Sequence, residues 1–99
     1  MKELNECTKV IFRYWKDSVI AIFPEIPGDS NPYNCLSYQH IGQHGTCDPS
    51  YIIQNSKPAT GQQHHDLKAE LESMEYDLKV ISRQSSNAID VRKKALESS

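Results

Sequence analysis

The stretch Val10-Ile11-Phe12-Arg13-Tyr14-Trp15-Lys16-Asp17-Ser18-Val19-Ile20-Ala21-Ile22-Phe23 holds two apolar runs around a short polar break. Its β-branched and aromatic residues suit a pleated, half-buried surface. Two such runs joined by a few polar residues read as a β-hairpin. Period-two alternation places Val10, Phe12 and Tyr14 on one face of the first strand, and Ile11, Arg13 and Trp15 on the other. Both faces carry apolar groups, so the hairpin is central in its sheet or covered on both sides. Pro24 is expected to stop the second run.

Downstream, 24–32 reads as a loop, with three prolines and the turn-tolerant Gly28, Asp29 and Asn31. A third strand is expected from Cys35 to about Ile41, a second loop from Gly42 to Ser50, and a short strand at Tyr51-Ile52-Ile53. Thr60 and Gln63 have the spacing of a capping box. Leu67, Leu71 and Met74 then form one stripe of a helix from about Gly61 to Met74. From Tyr76 the period changes to two, with Leu78 and Val80 alternating against Lys79 and Ile81, which predicts a final strand.

The fold class is therefore α+β: an antiparallel sheet of about four to five strands, one helix packed across it, and a short C-terminal helix. Residues 8–84 form the domain and 85–99 a helical tail, whose Ala88, Ile89, Val91, Ala95 and Leu96 make no single stripe. A helix of about ten residues is marginal alone, so the tail either frays or docks on a partner. The capped helix can cover one face of the sheet only. The second face needs the tail or another chain.

The chain has 99 residues, enough for one core. Its apolar fraction is 37%, low enough to suggest that some surface is completed by a second copy, a homo-oligomer. Eleven Lys and Arg against thirteen Asp and Glu leave no cationic surplus for general nucleic-acid binding. Cys7, Cys35 and Cys47 are an odd count, unlike a disulfide framework. The acidic Met1–Glu6 segment lacks the apolar run of a signal peptide, and the longest apolar run, Val19–Phe23, is far short of a bilayer span. A cytoplasmic chain with reduced thiols and no membrane association is expected.

Chemistry concentrates between Gly28 and Ser50, where Asp29 and Asp48 are the only formal charges. Tyr38, His40, Gln43 and His44 offer aromatic area and neutral hydrogen-bonding groups, the composition of a recognition surface for a protein or a small polar ligand. The same segment contains Cys35, His40, His44 and Cys47, ligand types suited to Zn²⁺, which would make a small zinc-stabilised module. Only His44 and Cys47 have the close spacing of a structural site, and odd spacing on a strand sends Cys35 and His40 to opposite faces. Cys47 beside His44 and Asp48 has the composition of a hydrolase nucleophile, base and orienting carboxylate. Side chains of sequence neighbours diverge, however, and no nucleophile elbow is present. Arg13 and Trp15 share a strand face. They either stack on a planar or anionic ligand, or the Arg13 stem covers Trp15 while its head reaches water.

The segments Pro24–Tyr33, Ser37–His44 and Tyr76–Val80 resemble small uncharacterised proteins of bacterial phages and mobile elements, over roughly Val10 to Arg83. That resemblance implies a protein that acts by binding, as an inhibitor or sponge of a host defence system. The combined expectation is a non-enzymatic binding protein, without cofactor, that uses Tyr38, His40, Gln43, His44, Arg13 and Trp15.

Overall fold

In the computed structural model the described residues are 8–39 and 43–98. The first hairpin joins β1 (Thr8–Trp15) to β2 (Ser18–Pro27), in the register Phe12↔Ala21 and Tyr14↔Val19. Lys16 (φ 51°) and Asp17 (φ 64°) both take left-handed conformations, as a two-residue type I′ turn requires. Pro24 does not end β2. The strand continues to Pro27 through a shift of register between Phe23 and Pro27, and a bulge tolerates the missing proline N–H.

β3 (Cys35–Gln39) pairs antiparallel with β2, and β4 (Gln43–Cys47) pairs with β3. The loop expected over 42–50 is thus largely an edge strand. Its sequence has no apolar pattern, and its pairing with β3 defines it. Tyr51-Ile52-Ile53 is not a strand either, but part of helix α1 (Pro49–Gln54). Asp48 accepts from the Ser50 and Tyr51 amides as N-cap, and Pro49 follows it, so the helix-start signal overrides β propensity.

β5 (Lys57–Pro58) pairs with Tyr14 and Arg13 at one end of the free edge of β1. Helix α2 (Gly61–Ser73) opens with the full Thr60–Gln63 capping box. β6 (Leu78–Val80) then returns to the other end of β1 and runs parallel to it, a departure from the otherwise antiparallel order β4-β3-β2-β1-β5. Helix α3 (Ala88–Ser98) closes the described chain. The fold is α+β.

Leu67 and Leu71 of α2 pack on Val10, Phe12, Ala21, Phe23 and Tyr38. Met74, the third stripe residue, is the C-cap and is exposed. On the other face, Ile11, Ile20, Ile22 and Cys35 pack with Ile52 of α1, with Ile81 alongside. α3 docks on its own chain. It lies against β2, with Ala88 and Arg92 each 1% exposed. The Arg92 guanidinium donates to the carbonyls of Pro32 and Pro24. The second face is therefore closed by the chain itself, and an uncovered face no longer argues for a second copy. Among the described residues no helix is long and apolar enough to cross a membrane.

Candidate functional site

The outer edge of the sheet is the β3–β4 hairpin, and its register sets opposite residues face to face. Tyr38 pairs with His44, Ser37 with Gly45, and Cys35 with Cys47. Alternation sends the first pair to the α2 side of the sheet and the two cysteines to the other.

On the α2 side, Tyr38 is buried and its hydroxyl donates to the Glu70 carboxylate on α2. His44 sits edge-on to the Tyr38 ring, with centroids 4.7 Å apart and planes at 62°. Its Nε2 lies 3.0 Å from the Tyr76 hydroxyl. The Tyr76 ring in turn stacks on Phe23, with centroids 5.3 Å apart. The end of α2 places Tyr76. Glu75 takes a left-handed φ of 73°, its N–H donates to Glu72 O, and the Tyr76 N–H reaches back to Leu71 O at 3.3 Å. These are the paired bonds of a Schellman motif, with Tyr76 in the position that packs on the helix. Two strands and a helix end thus fix four polar side chains in one layer. Tyr38 and Glu70 are committed inward, His44 is exposed, and Tyr76 is half-buried.

Across the sheet, Cys35 Sγ and Cys47 Sγ are 3.7 Å apart, both as free thiols. Donation to Cys47, reinforced by burial, pushes the Cys35 thiol up. The same hydrogen bond holds Cys47 below the usual thiol value, helped by the Ser37 hydroxyl and the positive charge of Arg92, and opposed by burial and Asp48. The loop beside the pair is tightly built. A Cβ on Gly28 would collide with Thr46 Oγ1 and the Cys35 carbonyl. Asp29 accepts from the Asn31 amide, Asn34 Nδ2 and Thr46 Oγ1, and those bonds, Asn31 first, keep its carboxyl below the ordinary range.

The remaining sequence candidates fall elsewhere. Arg13 is 7% exposed, and its guanidinium donates to Ser56 Oγ (2.8 Å), Ile53 O (3.0 Å) and Ser56 O (2.7 Å), so its head is engaged by the end of α1. Trp15 carries Lys16 Nζ over its ring at 4.6 Å. Gln43 opens β4 opposite Gln39, and His40 lies outside the described residues. For zinc, the two cysteines share one face and His44 points to the other, so these three ligands do not converge. Among the described residues no group of three or more His, Cys, Asp or Glu is placed to hold a metal. The same split separates Cys47 from His44 as nucleophile and base, and Asp48 is occupied as the N-cap of α1.

A cleft of about 500 Å³ opens where β5 and β6 part from each other on β1, lined by Phe12, Pro58, His64 and Ile81 among others. His64 stacks on Phe12 there at 4.3 Å. Sequence reasoning passed over Glu70, Tyr76 and Arg92. Glu70 precedes Leu71 and so borders the apolar stripe, and Arg92 follows buried Ala88 by one helical turn, both readable signals. Tyr76 had none, because its place depends on the helix end.

In comparison with known proteins, no family model matches the chain, and no match was found among curated proteins or solved structures.

Proposed function

We propose that the chain is a non-enzymatic binding protein whose recognition surface is the β3–β4 edge, centred on His44 and Tyr76. The observation that supports this reading is the His44–Tyr76 contact, backed by Tyr38 and Glu70. An exposed imidazole and a phenol are held in place before any partner arrives. Both groups donate and accept hydrogen bonds, and both give contact area without the desolvation cost of a charge. Pre-organisation of this kind reduces the ordering cost of association. Cys47 and His44 project from opposite faces of β4, which favours binding over a hydrolase that would pair the two as nucleophile and base.

The partner class is a protein or a small polar ligand. As an inhibitor or sponge aimed at a host defence system, the chain would act by occupancy alone. The test uses untagged full-length protein, native mass spectrometry of complexes formed in a bacterial lysate, and a parallel infection assay in hosts carrying defence systems. A bound species should appear with the wild type and be at least tenfold weaker with His44→Ala and Tyr76→Phe, while circular dichroism stays unchanged. Undiminished capture by both variants would remove the edge from the reading. Expression that relieves no defence system would remove the inhibitor form of it.

A further inference from the structure

We propose that Cys35 and Cys47 are an oxidisable dithiol site, which a hydroperoxide closes reversibly into a cross-strand disulfide with Cys47 as the attacking thiol. This rests on the opposite face of the hairpin and on nothing in the binding reading.

Cys35 and Cys47 are direct partners in an antiparallel ladder. Directly opposed residues in such a ladder keep their Cα atoms about 4.5 to 5.5 Å apart. A disulfide accepts Cα separations of about 4.4 to 6.8 Å, so the backbone already stands at bonding distance. The sulfurs are 3.7 Å apart and need only side-chain rotation to close. Cys35 is fully buried and Cys47 half-buried, so a small oxidant meets Cys47 first. Around Cys47 stand the three features that favour a thiolate: the Cys35 donor, the Ser37 hydroxyl and the buried Arg92 cation.

The chemistry balances in two steps. The Cys47 thiolate attacks one peroxide oxygen, the O–O bond breaks, and two electrons pass from sulfur to leave Cys47 sulfenic acid and an alkoxide or hydroxide. Cys35 sulfur then attacks the sulfenic sulfur, the S–O bond breaks, and the Cys35 proton leaves with the hydroxyl as water. An external dithiol reverses the second bond. Closure ties β3 to β4 across a loop whose ends are twelve positions apart, and so fastens the edge of the sheet covalently.

The experiment uses the full chain carrying Cys7→Ser, so that only the two paired thiols remain. Protein is treated with one equivalent of hydrogen peroxide, alkylated without reduction and digested with trypsin. Both cysteines fall on one peptide between Lys16 and Lys68, because Lys57 precedes Pro58. We expect that peptide to lose two hydrogens, to escape alkylation at both positions and to regain both sites after dithiothreitol. The oxidised chain should melt higher by on the order of 10 °C. Cys35→Ser should leave a sulfenic acid at Cys47 that dimedone captures. Oxidation that runs to Cys47 sulfinic acid while Cys35 stays open to alkylation would overturn the proposal, as would cross-linking only between molecules. Should Cys35→Ser fail to fold, the peptide result decides alone.

Discussion

Glu75 occupies a backbone conformation that its side chain disfavours. Its φ of 73° is ordinary for glycine, while an L side chain there brings Cβ close to the following carbonyl oxygen, at a cost of about 1 kcal/mol. The Schellman bonds of the α2 terminus hold it in place, and the benefit falls to Tyr76, which they deliver to His44. Glu75→Gly should therefore stabilise the protein by roughly 0.5–1 kcal/mol, read as a higher urea midpoint at unchanged slope. Partner binding should be undiminished, because the Tyr76 backbone does not move. A destabilised variant would mean that the Glu75 side chain itself contributes more than the strain costs.

At the scale of elements, the first turn offers a similar adjustment. Lys16 and Asp17 both lie at positive φ, where Asn-Gly is the preferred pair for a type I′ turn. Replacing Lys16-Asp17 by Asn-Gly should raise stability by about 1 kcal/mol, measured by thermal or urea melting, less whatever the Lys16 contact with Trp15 contributes. Elements with an internal signal were readable from sequence: the β1–β2 hairpin by its apolar alternation, α2 by Thr60, Gln63, Leu67 and Leu71, and β6 by its change of period. β4 was not, because Gln43-His44-Gly45-Thr46-Cys47 has no alternation and acquires its form from its neighbour. α1 runs against its local propensity: Tyr51-Ile52-Ile53 favours a strand, and the Asp48-Pro49 start prevails. Half of the candidate site followed the same rule. Tyr38 and His44 stood out by composition, whereas Tyr76 and Glu70 meet them only once α2 lies across the sheet.

For the molecule as a whole, Arg92 joins the last helix to the middle of the chain. It is 1% exposed and donates to two carbonyls 60 and 68 positions upstream, those of Pro32 (2.6 Å) and Pro24. Removing it leaves buried acceptors without partners, each costing about 1–3 kcal/mol. Arg92→Leu should therefore lower stability by on the order of 3 kcal/mol. Arg92→Lys should recover only part of that, since an ammonium cannot reproduce the planar fork. Urea melts of the two variants check this. A loss below 1 kcal/mol for Leu would show that α3 stays docked by apolar contact alone.

The fork on β1 also has a consequence for synthesis. β1 is made first and finds β2 at once across a two-residue turn, but its other edge is completed by Lys57–Pro58 and Leu78–Val80. While the ribosome works through the intervening chain, that edge keeps its amides and carbonyls open, beside Val10 and Phe12, which still lack Leu67 and Leu71. An open apolar edge is a template for pairing with another chain. A nascent chain released before residue 78 carries half of that template exposed, so β6, translated long after β1, protects it.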